Sequence, residues 1–205
     1  MTDICEAAAE YEKIGSARLK VLALFGEAGS GKDFIKTRAV HYYPQKYHKI
    51  INCTTRPKRD NEEDKKDYFF LTNEQFLQKL LNCDLIEAAQ FNNWHYGTMF
   101  SALVSDKINL GVFSIAAIEC LLQDSRLLVQ PVYVQCTDKE RLIRQLNRED
   151  NPNCEEICRR FFSDKKDFID IPFEYKILNN NDSIYFRNAL QDLERIGQNC
   201  FNIYE

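Results

Sequence analysis

The sequence predicts an α/β fold in three layers, a central parallel sheet with helices on both faces. Three observations carry this expectation. Short apolar runs fit for buried strands alternate with helix-like stretches along most of the 205 residues, as a parallel sheet requires, because each strand returns through a crossover helix. No internal repeat and no linker rich in Gly, Ser or Pro divides the chain, so one core is expected at this length. The glycines are few and clustered: of seven, Gly26, Gly29 and Gly31 fall within six positions, directly after the first apolar run. Glycine costs backbone entropy on folding, so a cluster in a glycine-poor chain marks a place that needs unusual backbone geometry.

Taken in order, residues 19–25 (LKVLALF) read as a buried strand and 32–43 as a helix stopped by Pro44. A second strand is predicted at 48–53, followed by a charged stretch, 56–67, and the alternating Tyr68-Phe69-Phe70-Leu71. Thr72 with Gln75 three residues on forms a capping-box pattern that starts a helix running to about residue 82. Strands follow at 85–89 and 94–96, a helix at 99–107, a strand at 112–115, a helix at 115–123 and a long buried strand at 127–135. Helices are predicted at 138–148 and 155–169 around a break at Pro152, then a strand at 175–178 and a closing helix at 183–196.

Composition narrows the function classes. A chain that is 44% hydrophobic and 12% aromatic is expected to fold, and no apolar run reaches the roughly 18 residues of a membrane helix. A net charge of -4 argues against a nucleic-acid coat, which needs an excess of Lys and Arg on one face. The eight cysteines show no CxxC pair and no Cys/His metal spacing, and the acidic, helix-like start MTDICEAAAEYEKIG does not resemble a signal segment. Reduced, mostly buried thiols in a cytoplasmic protein are therefore expected, with neither membrane nor nucleic-acid partners.

The glycine cluster reads Gly26-Glu27-Ala28-Gly29-Ser30-Gly31-Lys32-Asp33, after a strand and at the start of a helix. That is the context of a P-loop, in which backbone N–H groups wrap a β-phosphate, the helix N-terminus adds positive potential and Lys32 reaches the β- and γ-phosphates. Asp33 stands where Ser or Thr normally offers a hydroxyl to Mg²⁺, and its carboxylate is the candidate metal ligand.

An acceptor site is read from two further segments. In Thr54-Thr55-Arg56-Pro57-Lys58-Arg59, followed by Glu62 and Asp67-Tyr68-Phe69-Phe70, two guanidinium forks three residues apart suit one dianionic phosphate, with Tyr68 as a neutral donor. In Leu85-Ile86-Glu87 and Trp94-His95-Tyr96-Gly97-Thr98, a strand carboxylate is followed by an aromatic, a glycine and a hydroxyl. With the P-loop, in this order and spacing, these motifs resemble the guanylate kinase family over residues 19–195.

The resemblance implies a P-loop core of residues 19–51, 99–138 and 168–205, a GMP-binding lobe at 52–98, a small helical lid at 139–167 and an N-terminal extension at 1–18. It implies transfer of the ATP γ-phosphoryl group to GMP or dGMP with Mg²⁺. Glu87 matches the residue that accepts hydrogen bonds from guanine N1–H and the 2-amino group, and Thr98 the hydroxyl that donates to O6. Adenine lacks those donors, so a carboxylate there selects guanine. Arg56, Arg59, Tyr68 and Tyr96 match the four side chains on the acceptor phosphate; Asn52 and Gly97 fall at the same site, Asn52 where a serine is usual.

On the donor side, Arg141, Arg144 and Arg148 share one predicted helix and Arg159 and Arg160 the next. Arg148 and Arg160 match lid arginines that close on the transferring group. The upstream lid arginine falls nearest Gln145, beside Arg144, and Asn179 matches a position near the ATP base. Pairing with Glu149, Glu155 and Glu156 on solvated helix faces is the plain alternative for these arginines. The family's acid-x-acid after the strand near 111–115 has no clear counterpart in Gly-Val-Phe-Ser-Ile-Ala-Ala-Ile-Glu; Ser114 or Glu119 are the candidate substitutes. Two other functions fit the motifs: a broader deoxynucleoside monophosphate kinase, and a catalytically silent protein-interaction domain of guanylate-kinase type.

Overall fold

The structure is a computed structural model that describes residues 18–60, 62–91, 93–148, 150–169, 174–180 and 183–201. The N-terminal extension, apart from Arg18, and Glu149 lie outside the described residues. Strand β1 (Leu19–Phe25) is the middle of a five-stranded sheet. Its neighbours are β7 (Ile108–Val112) and β8 (Leu127–Gln135), with β2 (Tyr47–Lys49) and β9 (Lys176–Leu178) at the edges, and every pairing is parallel.

The apolar run of β1 is continuous because both faces of the strand are covered. Leu22 and Leu24 point into one cluster, with Ile35 and Ala39 of α1 (Lys32–Tyr42) and Leu193, Ile196 and Phe201 of the closing helix α6 (Ser183–Phe201). Val21, Ala23 and Phe25 point into the other, with Ala117, Ile118 and Leu121 of α3 (Ile115–Gln123). This alternation is the two-residue period of a strand, and each fully buried Leu or Phe contributes about 1.5–3 kcal/mol relative to exposure.

A second sheet of four short strands, ordered β4-β3-β6-β5, is built from β3 (Cys53–Thr54), β4 (Phe69–Phe70), β5 (Leu85–Phe91) and β6 (Trp94–Met99). Helix α2 (Asn73–Leu81) packs Phe76 into its small core with Cys53 and Met99, and opens on the expected capping box: Thr72 Oγ1 accepts from Gln75 N at 3.2 Å and Gln75 Oε1 from Thr72 N at 2.9 Å. The segment after β8 forms α4 (Asp138–Leu146) and α5 (Cys154–Asp167), the latter capped by Asn153, which accepts from Glu156 N at 3.0 Å.

Three expectations for the secondary structure are corrected. The strand predicted at 48–53 is two strands in different sheets: β2 pairs with β7 and β3 with β6, so the chain changes sheet in between. The helix predicted at 99–107 is only a 3₁₀ turn, Phe100–Ala102. Beyond it, buried Asn109 accepts from Val104 N at 2.8 Å and donates to Val104 O at 2.8 Å, holding the segment as a loop. The strand predicted at 112–115 lies earlier, at Ile108–Val112, because it pairs with β1 residue for residue from Val21↔Asn109 to Leu24↔Val112. The cysteines are also less buried than expected: all seven described are free, but Cys83, Cys120, Cys154 and Cys158 are exposed.

Candidate active site

The glycine-rich turn joins β1 to α1, with Gly29 and Gly31 at φ 80° and 89°, a region L side chains rarely adopt. Lys32 folds back over the turn and donates to the carbonyls of Gly26 at 2.7 Å and Glu27 at 2.9 Å. Burial pushes its pKa down, against the opposing pull of Asp33, Asp164 and Glu27.

Beside the turn lies a cleft of about 750 Å³. Lys36, Lys49, Arg56, Arg59, Arg148 and Arg160 line it against Asp33, Glu62 and Asp67, giving it the opposite sign from the chain as a whole. Such a site attracts phosphate dianions. Asn52, Tyr68 and Tyr96 also line it, so the cleft gathers residues from α1, from the second sheet and its connections, and from α5 and the turn after α4.

Arg56 is held by Glu62 at 2.7 Å, with its guanidinium 5.6 Å from the centre of the Tyr68 ring. The other Glu62 oxygen accepts from Arg59 N at 2.9 Å, so one carboxylate organises both arginines of the motif. Tyr68 and Tyr96 meet edge to face, with ring centres 6.3 Å apart. Asp33 is three-quarters exposed and 3.0 Å from Lys36 Nζ. Partial desolvation by the cleft walls works to raise the Asp33 pKa, but the charge and hydrogen bond of Lys36, with the charges of Lys32 and Arg148, hold it below the ordinary carboxylate value.

Glu87 and Thr98 are cross-strand partners on β5 and β6, both buried, and Thr98 Oγ1 donates to Glu87 Oε1 at 2.6 Å. Burial raises the Glu87 pKa and the Thr98 hydrogen bond opposes that rise. A hydroxyl has one proton to give. Thr98 therefore orients Glu87 in this structure, and the expected donation from Thr98 to guanine O6 is not prepared.

Several expected site residues are placed elsewhere. Gly97 does not line the cleft; a Cβ there would lie 2.9 Å from Glu87 O and 3.3 Å from the Phe76 ring, so glycine allows close packing on α2. Arg144 is turned from the cleft to the turn's backbone, donating to Gly29 O and Ser30 O at 3.3 Å and to Asn179 O at 3.0 Å. Asn179 is buried and donates to Ser30 O at 2.8 Å. Ser114 is the N-cap of α3, accepting from Ala117 N at 3.1 Å, and Glu119 is exposed on that helix; neither lines the cleft. The plain alternative for the arginines of α5 holds in part: Arg159 and Arg160 both pair with Glu156 at 2.6 Å, although Arg160 also lines the cleft.

Residues that the sequence did not single out also shape the site. Lys36 was findable as an i,i+3 partner of Asp33 on a predicted helix. No local signal marks Lys49 or Asp164; the Asp164 carboxylate accepts from Ala28 N at 2.7 Å across 136 residues of sequence.

The parallel sheet, the positive-φ turn after its central strand and the folded-back lysine define a P-loop α/β protein. A model of the family "Guanylate kinase" matches residues 18–199, and the chain belongs to that family. The chain is 27% identical over 203 residues to guanylate kinase of Synechococcus sp. (strain JA-3-3Ab), covering 94% of this chain and 88% of that protein. It is 34% identical over 94 residues to Protein lin-2 of Caenorhabditis elegans, 46% of this chain but a tenth of lin-2's length. The crystal structure of guanylate kinase from Anaplasma phagocytophilum superposes with a TM-score of 0.62 at 18% identity, covering 88% of this chain and 85% of that one, a likeness of fold.

Proposed function

We propose that the protein is an ATP-dependent nucleoside monophosphate kinase that transfers the γ-phosphoryl group of ATP to GMP or dGMP. One observation carries the reading: a single cationic cleft brings Asp33 and Lys36, next to the P-loop lysine, together with Arg148 and Arg160 of the lid segment and with Arg56, Arg59, Tyr68 and Tyr96. Donor and acceptor phosphates placed there would meet.

Residues 19–51, 99–138 and 168–205 act as the core, 52–98 as the acceptor lobe and 139–167 as the lid. The acceptor phosphate, with a second pKa near 6, is largely ionised at neutral pH and needs no general base. Catalysis reduces to alignment and charge stabilisation. Arg56, Arg59, Tyr68 and Tyr96 fix the attacking phosphate. Lys32, Arg148 and Arg160 spread the charge of the transferring group, and closure of lid and lobe keeps water from taking the acceptor's place.

Glu87, ionised and aimed by Thr98, accepts from the guanine N1–H and 2-amino donors. Asn52 lines the phosphate cleft, whereas Glu87 and Thr98 lie outside its lining, buried on the β5–β6 pair whose Phe91, Trp94 and Tyr96 do line it. Arg144 and Asn179 hold the carbonyl side of the P-loop rather than the reacting group.

The Asp33 carboxylate, exposed to the cleft and kept ionised, fits a Mg²⁺ ion that takes one or two protein carboxylates plus phosphate oxygens. When bound, Mg²⁺ supplies charge neutralisation to the phosphates; Lys36 would release Asp33 to it and remain as a further cation in the cleft.

A coupled ADP-release assay across GMP, dGMP, AMP, CMP, UMP and dTMP tests the reading. Turnover confined to GMP and dGMP is expected. Turnover of several bases identifies a broad monophosphate kinase, and no turnover a silent interaction domain.

A further inference from the structure

Outside the cleft, a second set of contacts converges on the phosphate loop. Arg141 of α4 is fully buried, and its guanidinium reaches four acceptors: Ala28 O at 3.0 Å, Glu27 Oε1 at 3.3 Å, Asp138 Oδ1 at 3.2 Å and Asp164 Oδ2 at 2.7 Å. The same Asp164 oxygen accepts from Ala28 N at 2.7 Å. Glu27 is fixed from its other oxygen by the Tyr133 hydroxyl, which donates at 2.8 Å. Both backbone groups of Ala28 are thus gripped from the lid segment, the carbonyl by Arg141 and the N–H by Asp164.

This grip has a direction. In a trans peptide the carbonyl of one residue and the N–H of the next point to opposite sides. Holding Ala28 O towards Arg141 turns the Gly29 N–H the other way, and holding Ser30 O towards Asn179 and Arg144 does the same for the Gly31 N–H. Helix α4 also sits directly on the loop: a Cβ on Gly29 would lie 2.6 Å from the Arg141 carbonyl oxygen. Arg141 does not line the cleft, and its charge is already spent on three carboxylates, so it is not itself a phosphate ligand.

We propose that Arg141 is a positioning residue that sets the phosphate-binding geometry of the P-loop, and that Asp164 ties the second lid helix to this geometry. The proposal rests on the reading that the loop binds ATP. It also assigns a reason for arginine over lysine: five N–H donors spread over a planar fork serve the four separate acceptors, whereas an ammonium has three donors on one nitrogen.

The test is calorimetric titration of MgATP and, separately, of GMP into the full chain and its Arg141→Met, Arg141→Lys and Asp164→Asn variants, with thermal unfolding recorded for each. Loss of charge-assisted hydrogen bonds to the loop is expected to raise the Kd for ATP about tenfold in both Arg141 variants and about threefold in Asp164→Asn. The Kd for GMP should stay within about twofold of wild type, a split that general destabilisation does not produce. If Arg141→Met does not fold, the other two variants decide. ATP and GMP affinities that fall together, unchanged ATP affinity in folded variants, or tighter ATP binding by Asp164→Asn would each overturn the proposal while leaving the kinase reading intact. A wild-type chain that binds no ATP overturns both.

Discussion

Thr98 donates its hydroxyl proton to Glu87 at 2.6 Å across the β5–β6 pair, with both side chains buried. Burial favours the neutral acid and the hydrogen bond favours the carboxylate, leaving Glu87 above the ordinary glutamate pKa. Only the carboxylate accepts two N–H groups from guanine. As pH falls through the raised pKa, Glu87 takes up a proton and the KM for GMP should climb, at a higher pH than an ordinary glutamate would give. Replacing Thr98 by Val removes the bond that favours ionisation and should move the climb to still higher pH. Glu87→Gln, which does not titrate, corrects for the substrate's own phosphate. Coincident pH profiles for Thr98→Val and wild type would show that the hydroxyl does not tune the acid.

Lys32 donates to the loop's own carbonyls at 2.7 and 2.9 Å, contacts that phosphate oxygens would replace if ATP binds as proposed. Lys32→Met should lower kcat by about 10²–10³-fold, as expected for removing one preorganised charge from a transition state, with thermal unfolding little changed. Steady-state turnover of GMP measures it.

Asp33 is expected to be a ligand of the nucleotide-bound metal. Asp33→Ala should raise the Mg²⁺ concentration for half-maximal activity by about tenfold, the effect of losing roughly 1.4 kcal/mol of metal binding. A Mg²⁺ titration at fixed ATP reads this directly, and an unchanged midpoint would remove Asp33 from the metal site.

Gly97 faces Phe76 and the Glu87 backbone, so its contribution is to packing. Gly97→Ala places a methyl group 2.9 Å from a carbonyl oxygen that cannot turn aside, and should destabilise the fold by about 1–3 kcal/mol. Urea denaturation should show a lower midpoint at constant slope. Because Glu87 lies on the same strand pair, the KM for GMP should rise with it.

Much of the fold was legible because its signals are local. The run Leu19–Phe25 alternates into two cores as a doubly covered strand must, and Thr72 with Gln75 forms the capping box that their spacing predicts. The failures came where a distant partner overrode the local pattern. Ile108–Val112 takes its register from β1, not from its own apolar residues, and Asn109 holds the preceding connection as a loop by binding Val104, while also donating to Lys20 O. The change of sheet between Lys49 and Cys53 has no signal within that stretch, since both halves read as strand.

The sequence by itself marked the glycine-rich turn with Lys32, and it singled out Arg56, Arg59, Tyr68, Tyr96, Glu87 and Thr98, because each lies in a short motif whose residue types and spacing suggest phosphate or base chemistry. Only the tertiary structure decided how those groups are used. It turned Arg144 away from the cleft, spent the Thr98 proton on Glu87 and brought Asp164 to the backbone of Ala28. A side chain's role depends on which partners it can reach, and these come from a neighbouring strand for Thr98 and from more than a hundred residues away for Arg141 and Asp164.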